Sequence, residues 1–239
     1  MQLTDSQFVC QGKVIGSANA KLRKTSVAVI GVGGTGCNAA LLLAQLCVKQ
    51  VTLIDPDVVE TSNLGRQPLF AESDVGKFKA ETAVQKLKPH KNTSFLAIVD
   101  LLTEKNAAKL IGSVDVVLDC TDNYASRKAI NSFCLHKKIP WVYCGAIRDQ
   151  IMVSTIIPGK TPCFNCFASK PLCEVSCCEE GIIPTATSIA ASIQVQEFVN
   201  LLAGKPKLAS KMLHMNLSTL TFSIFPLEKK CKNCKNYVK

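Results

Sequence analysis

Near its beginning, the sequence places an apolar run, a glycine-rich turn and a helical pattern directly after one another. Residues 27–30 are apolar and have the length of a buried strand. Residues 31–36, GVGGTG, form the turn, and residues 38–47 carry the helical pattern. Glycines let the backbone approach a ligand closely, and a helix N-terminus offers unpaired N–H groups with a partial positive charge. We therefore predict that Gly33 and Gly34 lie against the phosphates of a nucleotide.

Acidic and basic residues follow the second apolar run. Residues 51–54 end at Asp55 and Asp57, where a carboxylate can reach the ribose hydroxyls of a nucleotide. Further along, Arg66 and Lys79 can neutralise phosphate charge, the arginine through a bidentate fork and the lysine as a point charge. A GxGxxG turn by itself is also typical of nicotinamide and flavin enzymes. A nicotinamide oxidoreductase therefore stays open as an alternative.

A further polar segment follows the fourth apolar run. Residues 114–120 are strongly apolar, and Asp122 and Asn123 come shortly after them. Ligands of doubly wound sheets bind at the carboxyl ends of the strands, which places both residues at the predicted site. A carboxylate together with phosphate oxygens is the usual setting for Mg²⁺ in proteins. The alternative is that the two residues only cap the helix that begins at Tyr124.

Two cysteine pairs have the CxxC spacing of tetrahedral zinc sites. They are Cys163 with Cys166 and Cys231 with Cys234. Four thiolates leave no open position for water, so the zinc is expected to be structural and to pin the C-terminal tail to the loop after residue 158. Lysines beside the second pair are expected to lower the thiol pKa values. Two independent redox pairs are the alternative.

The alternation of strands and helical patterns up to residue 147 predicts an α/β fold. Its sheet is expected to be doubly wound, mostly parallel and Rossmann-like, and the β-rich run after residue 147 adds an antiparallel extension. We expect a single domain over residues 1–239, since no repeat or linker divides the chain. Its expected parts are an N-terminal arm (1–26), a nucleotide-binding half (27–147) and a half with the crossover loop, the zinc site and the partner-binding surface (148–239).

Composition limits the compartment and the partners. The N-terminus lacks the basic and apolar regions of a secretory signal, so the 13 cysteines favour metal binding or catalysis over disulfides and a cytoplasmic location is expected. No apolar run approaches the roughly 20 residues that cross a bilayer, so no membrane partner is expected. The formal charge of +10 attracts acidic partners such as nucleotides, RNA or an acidic protein. No RNA-binding module is recognisable, and RNA stays undecided.

Six features occur together in one order: the glycine turn, Asp-x-Asp, the SNLGRQ segment of residues 62–67, Lys79, the Thr-Asp-Asn of residues 121–123 and the paired CxxC motifs. The combination resembles the adenylation domain of the ubiquitin-activating-enzyme superfamily, in its small MoeB/ThiF/HesA branch. The resemblance covers nearly the whole chain after about residue 25. It implies that ATP is bound with the help of Asn63, that Asp122 binds Mg²⁺, and that Arg66 and Asp122 are catalytic.

The same resemblance implies a substrate and an assembly. The substrate is the C-terminal glycine of a small ubiquitin-like sulfur-carrier protein ending in Gly-Gly, and the enzyme is a homodimer. We expect the apolar face of a helix at residues 185–202 to suit the dimer interface. No rhodanese domain follows the zinc motifs, so a separate protein is expected to donate the sulfur.

A catalytic thiol is implied as well. Family members that have one carry it four residues before the glycine of a Gly-Val-Leu-Gly segment, and this position here is Cys177. Its neighbours Cys173 and Cys178 stay open as alternatives. The thiol would receive the acyl group as a thioester or acyl-disulfide.

One departure from the family concerns the N-terminus. Members of the branch carry an arginine-containing element there whose arginine reaches the partner's ATP, whereas residues 7–11 are QFVCQ. The candidates to replace that arginine are Lys13, Lys21, Arg23 and Lys24. Its absence leaves a non-catalytic scaffold open, and within the enzyme class a tRNA- or small-molecule-directed adenylating enzyme.

Overall fold

The structure is a computed structural model that describes residues 9–168, 180–232 and 234. Within these residues, eight strands form one sheet. In chain order they are β1 (Ser26–Ile30), β2 (Gln50–Ile54), β3 (Ser94–Ile98), β4 (Val116–Asp119), β5 (Trp141–Ile147), β6 (Gln150–Ile156), β7 (Lys211–Asn216) and β8 (Thr221–Pro226).

The sheet is mostly parallel, and its antiparallel part lies at one edge. Across the sheet the order is β3-β2-β1-β4-β5-β6-β7-β8. The pairs among β1 to β5 are parallel, and β6, β7 and β8 add antiparallel beyond β5. The order reverses between β1 and β4, where a doubly wound sheet opens a crevice for ligands. The predicted fold class, including the C-terminal antiparallel extension, is confirmed.

Helices cover both faces of the sheet. They are α1 (Val9–Ile15), α2 (Ala18–Leu22), α3 (Gly34–Gln45), α4 (Lys79–Leu87), α5 (Ala107–Ile111), α6 (Tyr124–Lys137), α7 (Phe164–Phe167) and α8 (Pro184–Leu202). Leu43 of α3 and Phe198 of α8 belong to the core on one face, and Ile130 of α6 belongs to the core on the other. Strands buried on both faces read as continuous apolar runs, as β1, β2 and β4 do. No described helix is long and apolar enough to cross a membrane.

The long helix α8 fills the core of its own chain. Ala190, Ala191 and Phe198 are completely buried, and α8 packs against α3, β5 and β6. The apolar face that we expected to suit a dimer interface is therefore used internally. The buried face of this helix therefore gives no support to a dimer interface, and the homodimer stays a prediction.

Several element boundaries differ from the sequence-based expectation. The helix after the glycine turn begins at Gly34, not at residue 38, because its first turn is made of the glycine-rich residues themselves. The helix that follows β2, α4, begins only at Lys79, since Gly76 has a φ of +85° that a helix cannot accommodate. The cysteine-rich loop contains the short helix α7, whose first turn carries Cys166.

Candidate active site

A cavity of about 670 Å³ opens at the carboxyl ends of β1, β2 and β4. Its size suits a cofactor or nucleotide, since such sites occupy roughly 300–1,000 Å³. All nine residues that the sequence predicts for the nucleotide line it. They are Gly33, Gly34, Asp55, Asp57, Asn63, Arg66, Lys79, Asp122 and Asn123.

The glycine turn brings α3 close to the ligand space. Gly34 cannot carry a side chain, because a Cβ there would lie 2.6 Å from Cγ2 of Thr187 on α8. Gly33 is different, since a Cβ there would meet only Nε2 of Gln67, at 3.8 Å. Packing within the protein therefore explains glycine at residue 34, while at residue 33 the small residue leaves room in the cavity beside the N-terminus of α3.

Asp55 joins the second strand to the glycine turn. Its Oδ2 accepts a hydrogen bond from the backbone N–H of Val32 at 2.6 Å, and its Oδ1 accepts one from the N–H of Asp57 at 2.8 Å. Burial raises the pKa of Asp55, although these N–H groups oppose the shift. The carboxylate predicted to bind ribose thus also holds the two loops of the cavity together.

Lys79 is the buried cation of the cavity. Its Nζ lies 2.9 Å from Oδ2 of Asp57, and the exposed fractions of the two side chains are 9% and 63%. The backbone N–H of Lys79 also bonds to the carbonyl of Asp57, at 2.9 Å. The first turn of α4 is therefore tied to the end of β2.

The SNLGRQ segment forms a 3₁₀ turn, Thr61–Asn63, followed by a loop. Asn63 is buried, and its Oδ1 accepts a hydrogen bond from the N–H of Glu60 at 3.3 Å. Arg66 donates from Nη1 to the carbonyl of Ser62 at 2.8 Å. Both predicted phosphate ligands are thus held by local contacts while lining the cavity.

Gln67 is a cavity residue that the sequence reasoning did not assign. It is buried, lines the cavity, and its Oε1 has no hydrogen-bond partner among the described residues. A buried amide oxygen without a donor is uncommon in folded proteins, and a ligand can supply one. Its position directly after Arg66 was the only signal available in the sequence.

Asp122 and Asn123 lie at the end of β4 but differ in their contacts. Asn123 is the N-cap of α6, with Oδ1 accepting a hydrogen bond from the N–H of Ser126 at 2.8 Å. The capping alternative is therefore correct for Asn123. Asp122 is exposed to the cavity, and its carboxylate makes no hydrogen bond or ion pair to any described residue. An oxygen donor of this kind beside a phosphate space fits Mg²⁺.

Part of the cavity wall is apolar. Ile30 and Ile54, at the ends of β1 and β2, line it together with Leu101 and Leu102, which follow β3. Leu101 is 55% exposed. An apolar wall beside charged groups suits a ligand with both a flat apolar ring and phosphates.

The four predicted zinc ligands form one cluster, with two of them between β6 and α8 and two after β8. Their Sγ atoms all lie within 4.8 Å of one another, and the Sγ atom of Cys163 lies 3.4 Å from that of Cys231. None of the four cysteines forms a disulfide. Zinc–sulfur bonds of about 2.3 Å at tetrahedral angles separate sulfur atoms by about 3.8 Å, so the cluster fits zinc.

The protonation of these thiols follows from their surroundings. Burial raises the pKa of Cys163, and it raises that of Cys234 to about 11. For Cys166 burial is outweighed by the backbone N–H groups of Cys231 and Lys230, which lower its pKa to about 7. The largest contributions that lower it come from backbone N–H groups, and the expected effect of the neighbouring lysines stays a prediction.

The remaining predicted residues lie elsewhere. Cys177 and its alternatives Cys173 and Cys178 fall outside the described residues. Lys21 donates from Nζ to the carbonyl of Leu202 at 2.7 Å and so caps the end of α8. The other candidates to replace the N-terminal arginine, like Lys21, do not line the cavity of their own chain; they are Lys13, Arg23 and Lys24.

Comparison with known proteins agrees with this geometry. Residues 10–236 match the model of the ThiF family. The chain is 37% identical over 203 residues to the molybdopterin-synthase adenylyltransferase of Escherichia coli K12, which covers 81% of this chain and 79% of the relative. It is 31% identical over 238 residues to the adenylyltransferase and sulfurtransferase MOCS3 of Drosophila ananassae, covering 98% of this chain but only 51% of that relative. This chain therefore spans about half the length of the MOCS3 protein.

A solved structure shows the same fold. MccB of E. coli, crystallised with MccA-N7isoASN, superposes with a TM-score of 0.86 at 20% identity and covers 97% of this chain and 74% of MccB. At that identity the likeness concerns the fold alone.

Proposed function

Because the chain belongs to the ThiF family, we propose that it adenylates the C-terminal glycine of a small ubiquitin-like sulfur-carrier protein that ends in Gly-Gly. The observation that carries this proposal is the meeting of all nine predicted nucleotide residues in one cavity. They come from the ends of several strands and from two loops, and no single motif would bring them together. The adenylyltransferase names of the relatives support the reaction class.

The proposed reaction uses positioning and charge. The terminal carboxylate of the carrier attacks the α-phosphorus of ATP, a new C–O–P linkage forms, and the bond to pyrophosphate breaks. Gly33, Gly34 and the N-terminus of α3 receive the phosphates, while Arg66 and Lys79 balance their charge. Asp122 is the residue that would hold Mg²⁺, which neutralises charge on the leaving group. No covalent chemistry by the protein is required in this step.

A structural zinc completes the proposal. Cys163, Cys166, Cys231 and Cys234 would bind it, and four thiolates leave no position for a reacting water. Backbone N–H groups already point at three of the sulfurs: from Lys230 to Cys166 at 3.4 Å, from Cys163 to Cys234 at 3.2 Å and from Cys234 to Cys231 at 3.4 Å. Such donors favour the thiolate that a metal needs.

A second chemical step is proposed for Cys177. Its thiolate would attack the acyl-adenylate, form a thioester with the carrier and release AMP. The alternative adduct, an acyl-disulfide, would form if a separate persulfide-carrying donor first transferred its outer sulfur to Cys177 and the resulting persulfide then attacked the acyl-adenylate, again releasing AMP. Cys178 or Cys173 would replace it if the assignment is shifted. The cytoplasmic location and the single domain over residues 1–239 also stay predictions.

Other functions explain fewer of the residues. A nicotinamide oxidoreductase needs the glycine turn and Asp55 but gives no role to Arg66, Lys79 or the cysteine cluster. A non-catalytic scaffold has no need for the exposed carboxylate of Asp122 or the buried ammonium of Lys79. An adenylating enzyme for a tRNA or a small molecule would use the same cavity. It would differ only in the molecule that receives the adenylyl group.

The test is the exchange of labelled pyrophosphate into ATP. Exchange should occur when Mg²⁺ and a small carrier protein ending in Gly-Gly are both added, because the adenylation step is reversible. A carrier that lacks its last glycine is the matched control and should support none. Exchange that depends on a tRNA or a small acid instead would replace the carrier with that acceptor.

A further inference from the structure

A buried ion pair lies directly beneath the loop that carries Asp122. Asp119, the last residue of β4, is completely buried, and its Oδ2 accepts a hydrogen bond from Nε of Arg127 at 3.3 Å. Its Oδ1 accepts two more bonds from Thr121, from the backbone N–H at 3.0 Å and from the hydroxyl at 2.6 Å. Both oxygens of the carboxylate are thus occupied below the cavity.

Arg127 holds the same loop from the other side. Its Nη2 donates to the carbonyl of Thr121 at 2.6 Å and to the carbonyl of Cys144 at 3.3 Å. The guanidinium also lies 5.1 Å above the centre of the Tyr143 ring, at a distance suited to a cation–π contact. The N–H, the carbonyl and the hydroxyl of Thr121 are therefore all bonded to one ion pair.

Asp122 lies between two residues whose positions are held by hydrogen bonds. Thr121 precedes it and is held by the ion pair, and Asn123 follows it as the N-cap of α6. Arg127 itself belongs to α6, so the pair also joins the helix to the end of β4. The conformational freedom left to this loop is mainly that of the Asp122 side chain.

Stability alone does not account for an ion pair at this place. Desolvation of two buried charges cancels much of their attraction, and apolar residues of similar size often stabilise a fold at least as well. Burial disfavours the charged guanidinium, yet Asp119 and Tyr143 outweigh it and raise the pKa of Arg127. The arginine therefore stays charged and keeps all its hydrogen bonds at working pH.

We propose that the Asp119–Arg127 pair is a positioning device that holds Thr121 and thereby aims the carboxylate of Asp122 at the magnesium ion of bound ATP. Neither member of the pair touches the nucleotide in this proposal. The inference rests on the proposed function, because it assumes that Asp122 binds the metal. It assigns to Arg127 a role beneath the cavity.

The hydroxyl of Thr121 gives the cleanest test, because one matched pair of variants isolates it. Thr121→Val removes the hydroxyl and keeps the shape, whereas Thr121→Ser keeps the hydroxyl. Binding of Mn²⁺, as a stand-in for Mg²⁺, is measured by electron paramagnetic resonance with a non-hydrolysable ATP analogue. Loss of a hydrogen bond to a charged group corresponds to about a tenfold weaker metal binding for Thr121→Val, while Thr121→Ser should bind nearly as wild type.

A second measurement needs neither metal nor nucleotide. Amide hydrogen exchange of the segment 119–123 in the nucleotide-free protein should be faster in Thr121→Val and in Arg127→Lys than in wild type. Glu197→Gln is the control, since Glu197 is also buried and accepts bonds from Thr155 and Leu208 but does not line the cavity. It should lower the melting temperature without changing exchange in this segment or Mn²⁺ binding.

The possible results test the positioning role separately from the proposed function on which it rests. If Asp122→Ala binds Mn²⁺ as wild type does, the metal role of Asp122 itself is wrong. If Asp122→Ala loses the metal while both Thr121 variants and Arg127→Lys bind it equally well, only the positioning role is overturned. Metal binding that falls in Glu197→Gln as far as in Arg127→Lys would also overturn it, because a general loss of stability would then be sufficient.

Discussion

Lys79 shows how a single residue prepares the cavity for phosphate. Its ammonium is held by Asp57, whose side chain is 63% exposed. Because the Asp57 carboxylate is mostly exposed, water can solvate it when a phosphate takes its place beside the ammonium. The resting contact keeps a buried charge paired until the ligand arrives.

Sequence reasoning found most of the charged residues of the cavity but missed Gln67 and Thr187. Asp55 and Asp122 follow apolar runs, and parallel strands end at one edge of the sheet, so their meeting could be predicted. Thr187 lies on α8, more than 150 residues after Gly34, and its contact with the glycine turn depends on tertiary packing. Gln67 carries no charge and stands in a loop, so nothing in its pattern marks it as buried.

At the residue scale, Cys177 carries a separable prediction. The carboxylate is the nucleophile in adenylation, so Cys177→Ala should leave pyrophosphate exchange almost unchanged while abolishing a reducible or hydroxylamine-sensitive adduct between enzyme and carrier. Non-reducing gels and intact-mass spectrometry follow the adduct. Cys173→Ala and Cys178→Ala are the controls. An adduct that survives in Cys177→Ala and disappears in Cys178→Ala would show the assignment to be one residue off.

Elements with a clear hydrophobic pattern could be predicted from the sequence, whereas elements rich in glycine or cysteine could not. The strands β1, β2 and β4 are apolar runs, and α6 begins at Tyr124 as expected. The start of α3 was missed because glycine in a helix is unfavourable by propensity, and contacts with other elements override that preference here. The helix α7 is only four residues long, too short for a period to be visible.

The cysteine cluster joins two such elements, α7 and the tail. Structural zinc contributes on the order of 10 kcal/mol of apparent binding free energy in small domains. In this chain most of the core lies in the sheet, so removing the metal should loosen the tail and leave the sheet folded. The only tryptophan, Trp141, is a built-in reporter, because its ring lies 6.3 Å from that of Phe164 in α7.

We predict about one zinc per chain in protein purified without oxygen. A chelator should change the fluorescence of Trp141 while the far-ultraviolet circular dichroism stays close to that of the untreated protein. Cys166→Ser should have the same effect, whereas Cys47→Ser, which alters a cysteine outside the cluster, should keep its metal. Protein that contains no zinc and has all four thiols freely titratable would contradict the assignment.

At the scale of the molecule, one sheet runs from the predicted nucleotide-binding half into the second half. Beyond β6 the sheet carries large apolar side chains that stay exposed, all of them on or just before β8. They are Leu220, Phe222, Ile224 and Phe225. An apolar patch on an edge strand marks a surface for contact with another protein, because such edges otherwise promote aggregation. Sequence periodicity could place β8 but could not tell which of its faces a neighbour leaves uncovered.

We predict a homodimer, because the family resemblance implies one and the exposed apolar surface of β8 can form its interface. Light scattering at micromolar concentration should give twice the chain mass of 25.8 kDa. The double variant Phe222→Ser/Ile224→Ser tests whether β8 forms the dimer interface. If this variant is still a dimer, β8 is not the interface and its surface is free to contact the carrier. A mass of 25.8 kDa for the wild type would contradict the dimer.

The central claim is that one cavity adenylates a carrier, and Asp122 tests it most directly. Carrier-dependent pyrophosphate exchange should fall by about a hundredfold or more in Asp122→Ala. The variant lacks the carboxylate that would hold Mg²⁺, and this ion neutralises the charge that develops on the leaving pyrophosphate. Glu104→Ala is the control and should exchange as wild type, because this exposed carboxylate pairs with Lys128 on the surface and does not line the cavity. Circular dichroism checks that both variants are folded. Folded Asp122→Ala with exchange near the wild-type rate would contradict the account.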